Sequence, residues 1–389
     1  MDKPTRLVHG GREPRRQHGM VNPPVYHAST VIFPTVDALE SAAANPFEGV
    51  YYGRFGTPIH FELEGLLAEL EGGAGCVTTC SGLAAITVAL MSVAEAGGHL
   101  LVADNIYLPT RKLCAGMLAR LGMTTSFFDP RITPAALAEL MRPETVALVL
   151  EAPGSLTFEM PDVPALTAVA RARDVAVIAD NTWATPIGFP AFEHGVDISI
   201  QAATKYVVGH ADAMLGAVTA NESWYATVRR TAVEMGYCAG PDDVYLGLRG
   251  LRTLDVRLAR HADNALRLCD WLAGRPEVEG LLYPPLPGDP GHAIWRRDFR
   301  AACGLFGVQL KPCSRHALTA MLDGLELFGM GFSWGGFESL VLPVNLTGAR
   351  SATEWTHEGP LLRLHAGLES ADDLIADLKA GFDRLASAT

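Results

Sequence analysis

The stretch "TVALVLEAPGSLTFEMPDVPALTAVARARDVAVIAD", residues 145–180, predicts the fold of this protein. It begins with an apolar run over 145–151, continues through a helical pattern over 163–173, and ends with a second apolar run over 175–180. Strands that are apolar on both faces and are separated by a helix are typical of a parallel sheet covered by helices on both sides. The stretch therefore predicts a strand–helix–strand unit, with the carboxylates Glu151 and Asp180 at the two strand ends.

The same alternation extends toward the N-terminus and predicts further strands over 99–104 and 124–129. The helix predicted over 109–121 has one apolar face, made of Leu113, Met117, Leu118 and Leu121. A helix capped by Thr133, with Pro134 in its first turn, has a face made of Leu137, Leu140 and Met141. These repeated alternations predict an α/β fold with a mostly parallel sheet between helices.

The pattern differs at the two ends of the chain. A long amphipathic helix over 251–274, a Pro/Gly-rich loop, short strands and a last helix predict a smaller α+β domain. The first 56 residues are broken by prolines yet rich in aromatic side chains, so we expect them to pack against another surface, for which a neighbouring subunit is one candidate. We therefore expect an N-terminal arm over 1–56, a large α/β domain over 57–250 and a C-terminal domain over 251–389.

Composition excludes several classes of protein. The chain has 389 residues and a net charge of -12, which argues against nucleic-acid or anionic-membrane partners, because both require clustered cations. Its seven cysteines are odd in number and form no CxxC pair, which indicates reduced thiols rather than disulfides or a metal site. No run of residues has the apolar character of a signal peptide or a membrane span. We expect a cytoplasmic protein with a small-molecule ligand.

One lysine near the predicted strand ends has chemically suggestive neighbours. Lys205 lies in "IQAATKYVVGH", residues 200–210, where the surroundings are low in charge. Burial there would lower the pKa of the amine and make it a nucleophile. Pyridoxal 5'-phosphate (PLP) requires such a lysine and a carboxylate for its ring nitrogen, which Asp180 could supply. Most lysines that follow a strand are merely exposed to solvent, so the prediction rests on Lys205 and Asp180 together.

A site for the phosphate of that cofactor is also present. The segment "TTCSGLAAITVALMSVA", residues 78–94, opens an alanine-rich helix in which Gly82 would let an anion approach the backbone amides. A plain helix cap would give the same pattern, so this segment supports the PLP hypothesis without establishing it.

Several segments together resemble one known family, the PLP-dependent enzymes of cysteine and methionine metabolism, which have fold type I. The likeness covers nearly the whole chain and is carried by "YYGRFGTPIHFELE", "LEGGAGCVTTCSGLAAI", "ADNTWATP", "SIQAATKYVVGHADAMLG", "GFSWGGFESL" and "LLRLHAGLE". Within the family, "EAPGSLTFEM", "QAATKYVVGH" and "SWGGFESL" are most similar to the bacterial cystathionine β-lyase branch.

The resemblance implies a role for each residue at the cofactor. Lys205 would bind PLP covalently and then move the Cα proton. Asp180 would pair with the ring nitrogen, and Tyr107 would stack on the ring. The phosphate would be held by the Gly82 and Leu83 amides and the Thr204 hydroxyl.

The resemblance also implies residues that act on the substrate or across subunits. Arg363, helped by Ser333, would clamp the substrate α-carboxylate. Trp334 would line the pocket near the leaving group, although a tryptophan at such a position could serve packing alone. Tyr52 and Arg54 would reach the phosphate of a neighbouring subunit, so the active site would be shared between subunits. The assembly that the resemblance implies is a homotetramer.

The activity implied is β-elimination of L-cystathionine to homocysteine, pyruvate and ammonia, in methionine biosynthesis. The alternatives are a β-lyase of cysteine or other S-substituted cysteines, a γ-lyase or γ-synthase, and a cofactor-free binding protein. Three positions depart from the family pattern. Ala202 stands where the family often has a serine, and Phe55 and Lys112 stand where related β-lyases can have an arginine and an acid.

Overall fold

The computed structural model describes residues 1–388 and has two β-sheets. Its strands are β1 (Gly75–Thr79), β2 (His99–Ala103), β3 (Thr124–Phe128), β4 (Thr145–Glu151), β5 (Ala176–Asp180), β6 (Ile198–Gln201), β7 (Gly216–Ala220), β8 (Val278–Leu282), β9 (Leu305–Leu310), β10 (Leu340–Pro343) and β11 (Leu361–His365).

The helices precede, separate and follow these strands. They are α1 (Lys3–His9), α2 (Val36–Ala44), α3 (Pro58–Glu71), α4 (Gly82–Val93), α5 (Leu108–Leu113), α6 (Pro134–Leu140), α7 (Val163–Arg171), α8 (Thr185–Gly188), α9 (Tyr225–Glu234), α10 (Pro241–Leu251), α11 (Leu254–Ala273), α12 (His292–Asp298), α13 (Arg315–Asp323) and α14 (Ala371–Ser387).

The larger sheet has seven strands in the order β1-β7-β6-β5-β4-β2-β3. Strands β2 to β6 run parallel to their neighbours within this set, and β7 is antiparallel to both β1 and β6. Alternate residues of β2 show that both faces are covered, because Leu100 and Val102 pack in one core and Leu101 and Ala103 in the other. The predicted α/β fold with a mostly parallel sheet between helices is confirmed.

The smaller sheet has four antiparallel strands in the order β10-β11-β9-β8. Helices α11, α13 and α14 pack around it, and its core is continuous with one core of the larger sheet. Strand β11 lies in the middle of this sheet, so its residues are held on both sides.

Two predicted helices differ in detail from the observed ones. The long helix predicted over 251–274 is α11 (Leu254–Ala273), which begins three residues later than predicted, after a turn at Arg252 and Thr253 that separates it from α10. There the Thr253 backbone N–H (3.1 Å) and hydroxyl (3.3 Å) both donate to the Gly250 carbonyl oxygen, in a tight turn that ends α10. In the helix predicted over 109–121, Leu121 is 54% exposed rather than buried, because a π-helical turn after α5 shifts the register of the last residues.

The large sheet and the C-terminal domain are joined at Asp104, which directly follows β2. Its carboxylate accepts the backbone N–H groups of Ser351 (2.9 Å), Ala352 (3.0 Å) and Thr353 (2.8 Å), and it pairs with Arg111. Burial alone would raise the pKa of Asp104, but the hydrogen bonds from Thr353 and Ser351 and the Arg111 charge bring it below its usual value. We call Asp104, Arg111 and residues 351–353 the clasp; it ties the loop before β11 to the end of β2.

Replacing Asp104 by alanine is expected to lower the free energy of unfolding by about 3–5 kcal/mol, because Arg111 is left buried without its partner. The Asp104 side chain is fully buried and that of Arg111 is 8% exposed. Urea denaturation followed by circular dichroism would measure the change. Asp129→Ala is the matched control, since its pair with Arg131 is solvent-exposed and worth about 1 kcal/mol or less. Equal losses in the two variants would show that the clasp adds no special stability.

Candidate active site

Lys205 lies in a turn that follows β6, at the carboxyl ends of the parallel strands. Its Nζ atom donates a hydrogen bond to Ser333 Oγ at 2.5 Å and lies 5.4 Å from the centre of the Trp334 ring. Burial lowers the pKa of Lys205 to about 8, and the nearby Arg363 charge adds to this effect while Asp180 opposes it. Part of the amine is therefore uncharged at neutral pH, as a nucleophile requires.

The loop that carries Ser333 is shaped to approach the lysine. Ser333 has a φ of 78°, a left-handed conformation that a non-glycine residue seldom adopts. Gly335 has a φ of +82°, and a Cβ atom there would lie 3.0 Å from the Lys205 carbonyl carbon. Only glycine combines this conformation with so close a contact. The loop therefore places the Ser333 hydroxyl and the Trp334 ring beside the amine.

Arg363 on β11 places a second cationic side chain near Lys205 and Ser333. Its Nη2 atom donates to the Ser333 carbonyl oxygen at 2.9 Å, and burial lowers its pKa to about 10. The guanidinium therefore stays charged at neutral pH, and the hydrogen bond to Ser333 fixes its orientation. A fixed guanidinium suits bidentate recognition of a carboxylate.

Two carboxylates lie side by side at the ends of neighbouring strands. Glu151 on β4 and Asp180 on β5 are partners in the parallel register. Asp180 accepts the Thr182 backbone N–H at 3.0 Å and the Thr182 hydroxyl at 2.5 Å. Burial raises the pKa of Asp180, while the Thr182 donors and the Lys205 charge act against this rise. Asp180 is only half-buried, so it can meet a cationic ring nitrogen in the cleft.

Tyr107 follows β2 and is 43% exposed, so its ring is accessible to a ligand. Its backbone N–H donates to Glu151 Oε2 at 2.7 Å, which fixes where the tyrosine leaves the sheet. Burial raises the pKa of the Tyr107 phenol, and the negative charge of Asp180 raises it further. The phenol is therefore protonated at neutral pH.

The start of α4 forms an anion cradle. Ser81 caps the helix by accepting the Ala84 amide at 3.1 Å. Because the first amides of a helix have no partner inside it, the N–H groups of Gly82 and Leu83 have no acceptor within residues 1–388. A Cβ atom on Gly82 would lie 2.6 Å from the Ala202 side chain, so the cradle faces the lysine turn directly.

Thr204 is placed beside the cradle but is engaged with the backbone. Its hydroxyl accepts the Leu215 N–H at 2.8 Å and donates to the Leu215 carbonyl oxygen at 3.1 Å. To bind a phosphate, the hydroxyl would have to rotate its single proton away from the Leu215 carbonyl oxygen and donate it to a phosphate oxygen.

Tyr52 and Arg54 are not brought to this cleft within the chain. Both are exposed, and Arg54 donates to the carbonyl oxygen of Val233. Phe55 packs into an aromatic cluster with Tyr51 (ring centres 5.2 Å apart) and Phe47 (5.7 Å). The contact of Tyr52 and Arg54 with a neighbouring subunit stays a prediction.

Another cleft, away from Lys205, has a volume of about 450 Å³ and contains Glu159, Arg350 and His357 in its wall. These three side chains already have partners, since Arg350 pairs with Glu159 at 2.7 Å and His357 lies 3.4 Å from Glu279. Choosing the active site by cleft volume alone would therefore select the wrong place. Within residues 1–388, no group of acidic, histidine and cysteine side chains is arranged to hold a metal ion.

Sequence reasoning missed two features of the site. It placed Glu151 at a strand end but did not predict its contacts with Tyr107 and Ser155. Those two residues come from different loops and are close to Glu151 only in the folded chain. It also gave no role to Gly335, although the glycine pair after Trp334 was a usable signal. The named residues Lys205, Asp180 and Arg363 do converge.

The assembled groups suit PLP. The cradle can bind a phosphate, Asp180 can meet a protonated ring nitrogen, and the Lys205 amine can react with an aldehyde. The departure at Ala202 removes one hydroxyl next to Gly82 but leaves the amides in place.

Comparison with known proteins agrees with this geometry. The model of the family described as Cys/Met metabolism PLP-dependent enzyme matches residues 4–383. The chain is 43% identical to the cystathionine β-lyase of Escherichia coli K12 over 388 residues, which cover 98% of each chain. It is 45% identical to the cystathionine β-lyase of Bordetella avium over 372 residues, 94% of this chain and 93% of that one.

A solved structure has the same fold along the entire chain. The cystathionine γ-synthase of Xanthomonas oryzae pv. oryzae in complex with cystathionine superimposes with a TM-score of 0.91 at 29% identity. The match covers 100% of both chains.

Proposed function

The chain belongs to the Cys/Met metabolism PLP-dependent enzymes, and from this premise we propose that it cleaves L-cystathionine by β-elimination to homocysteine, pyruvate and ammonia. The observation that carries the proposal is the convergence of Lys205, Asp180 and Arg363 in a chain 43–45% identical to β-lyases over nearly its full length. The γ-acting and smaller-substrate alternatives are not favoured by these relatives.

The cofactor supplies an electron sink that stabilises negative charge at the substrate Cα. Lys205 would hold PLP until substrate arrives and then take the Cα proton on Nζ. Its lowered pKa favours this, because an amine must be uncharged to accept a proton. Asp180 would keep the ring nitrogen protonated, and the Gly82 and Leu83 amides would hold the phosphate.

Substrate orientation would come from the loop and strand opposite the lysine. The Arg363 guanidinium would clamp the α-carboxylate, with Ser333 adjusting its direction. The contact of Ser333 Oγ with Lys205 Nζ belongs to the free amine, so it would be available again once substrate has displaced the lysine from PLP. Trp334 would then lie next to the sulfur substituent that leaves, since its ring is close to the same amine.

Product analysis tests the proposed reaction. The purified holoenzyme given L-cystathionine is expected to release pyruvate and homocysteine in equal amounts, because β-elimination leaves the three-carbon unit as pyruvate. Formation of 2-oxobutyrate and cysteine would instead establish γ-elimination. A parallel reaction with S-methylcysteine is the comparison, since it keeps the β-leaving sulfur and lacks the distal amino acid.

The comparison of cystathionine with S-methylcysteine also tests Phe55 and Lys112, the two positions that differ from related β-lyases. Phe55 lies in the aromatic cluster of the arm, and Lys112 is exposed on α5. We expect cystathionine to be turned over efficiently, with these side chains tolerated at its distal end. Slow turnover of cystathionine beside fast turnover of S-methylcysteine would assign the pocket to smaller thioethers.

The same proposal includes the organisation of the chain as arm (1–56), cofactor-binding domain (57–250) and C-terminal domain (251–389) in a cytoplasmic homotetramer. Exposed apolar side chains in the arm, such as Ile32 (90% exposed) and Val36 (67%), support a subunit contact there. Within residues 1–388, no helix is long and apolar enough to cross a membrane. An active monomer by light scattering would contradict the shared-site role of Tyr52 and Arg54.

A further inference from the structure

Glu151 is a buried acid that the reaction described above does not use. Only 9% of its surface is exposed. Its Oε2 atom accepts the Tyr107 backbone N–H at 2.7 Å, and its Oε1 atom lies 2.6 Å from Ser155 Oγ. These two contacts join the loop after β2 to the loop after β4, and both loops open onto the cleft that holds Lys205.

Glu151 has no cationic partner among the described residues, although a buried carboxylate normally needs one. None of the ion pairs within residues 1–388 includes it, and its neighbour in the sheet register is another acid, Asp180. Burial raises the pKa of Glu151 well above its usual range, and the Asp180 charge raises it further, while Ser155 and the Tyr107 amide act in the opposite direction. Two adjacent buried carboxylates do not both ionise readily.

Asp180 is the one of the pair that can keep its charge. It receives two hydrogen bonds from Thr182, is attracted by Lys205, and is only half-buried. Glu151 also receives one backbone N–H and one hydroxyl, from Tyr107 and Ser155, but it is more deeply buried than Asp180 and no cation faces it among the described residues, so the proton belongs on Glu151.

We propose that Glu151 is a positioning residue that acts as an uncharged carboxylic acid, holding the Tyr107 backbone and the Ser155 hydroxyl without placing a second negative charge beside Asp180. This inference rests on the proposed function, since that function puts Tyr107 and Asp180 at the cofactor. The hydrogen-bond pattern follows from it. One oxygen accepts from the Tyr107 amide, and the protonated oxygen donates to Ser155 Oγ.

The direction of the second hydrogen bond has a consequence for Ser155. A serine hydroxyl has a single proton. An ionised Glu151 would accept that proton and occupy it, whereas a protonated Glu151 supplies its own. Ser155 is half-buried, so its hydroxyl proton is then available to a ligand in the cleft. The charge state of one buried acid thus decides whether Ser155 is a donor to the site.

Glu151→Gln is the decisive variant, because a side-chain amide reproduces the donor and acceptor of the uncharged acid and cannot reproduce an ionised carboxylate. Two readouts do not depend on turnover. One is the infrared carbonyl band of a protonated carboxylic acid, compared between wild type and variant at neutral pH. The other is the pH midpoint of the visible absorption change of the holoenzyme, which reports the proton on the nitrogen that joins Lys205 to PLP.

We expect the infrared band in the wild type to be lost in Glu151→Gln, the pH midpoint to stay within about 0.3 units, and the cofactor affinity to stay within about threefold. Glu151→Ala, which removes both contacts, is expected to weaken cofactor binding by about tenfold or more. Circular dichroism would establish that this variant is folded, and if it is not, Glu151→Gln and Ser155→Ala carry the test. Ser155→Ala should keep the infrared band, since Glu151 is intact.

The proposal is overturned if the wild type has no such band, or if Glu151→Gln moves the midpoint downward by roughly one unit, as the loss of a nearby negative charge would. Unchanged cofactor affinity in a folded Glu151→Ala would remove the positioning role. These outcomes are separate from the proposed reaction. An enzyme that binds PLP but releases no pyruvate from cystathionine would refute the reaction while both spectra still report on Glu151.

Discussion

The Lys205→Ala variant is expected to lose cystathionine cleavage by about four orders of magnitude or more, because one side chain both binds the cofactor and moves the Cα proton. The variant should also lose the visible absorption of PLP joined to a lysine, since no other amine lies in the cleft beside Asp180 and Arg363 among the described residues. Initial rates of pyruvate release and absorption spectra of dialysed protein would measure both effects.

The fold should tolerate this change. The main polar contact of the amine is one hydrogen bond to Ser333, and the turn around it is held by backbone hydrogen bonds, including Lys205 N–H to the Ala202 carbonyl oxygen at 2.9 Å. Lys379→Ala is the matched control, because that lysine is exposed in an i,i+4 pair with Asp383. Substantial pyruvate release by Lys205→Ala would assign the proton transfer to another group.

The pKa of Lys205 gives this prediction a pH dependence. A pKa of about 8 means that the amine is uncharged in about a tenth of molecules at pH 7 and in about half at pH 8. Since only the uncharged amine attacks an aldehyde, the rate at which apoenzyme takes up PLP should rise about fivefold over that interval. A rate that keeps increasing steeply to pH 10 would show that the amine is not desolvated.

The Arg363→Ala variant is expected to lower kcat/KM for cystathionine by about 30-fold to 5,000-fold, corresponding to about 2–5 kcal/mol for a truncated, desolvated charge pair. Most of the loss should be in KM, because the α-carboxylate is bound equally before and during the reaction. The visible absorption of the holoenzyme should remain, since Arg363 would contact the substrate rather than PLP. Steady-state kinetics together with the spectrum separates this result from a loss of cofactor.

Arg363→Lys tests the geometry of the same contact. Lysine keeps the charge but not the two parallel N–H groups, so an intermediate loss is expected. Arg131→Ala is the control for removal of an arginine, since its side chain is 59% exposed. Equal kinetics for Arg363→Ala and the wild type would mean that another cation binds the carboxylate.

The local pattern of the chain was enough to predict most of the fold. Apolar runs such as those of β2, β4 and β5 are readable because a parallel strand is buried on both faces, so all positions except those at the strand ends are apolar. The start of α11 was predicted three residues early, at 251, because the turn at Arg252 and Thr253 is held by hydrogen bonds to the Gly250 carbonyl oxygen and has no apolar signal of its own. The exposure of Leu121 depends likewise on a π-helical turn that has no local signal.

The site also has features that the local sequence predicted and others that appear only in the folded structure. Lys205, Asp180 and the helix start at Gly82 were predicted because strand ends and a small-residue helix cap are local features, and the resemblance to a family supplied Arg363 and Ser333. The sequence by itself thus determined the sheet, the lysine and its carboxylate. Only the tertiary structure decided that Gly335 lies against Lys205, that Asp104 closes the clasp, and that Glu151 meets Tyr107 and Ser155. Each of these contacts joins residues from different loops, and the charge and orientation of a buried group depend on neighbours that only folding brings together.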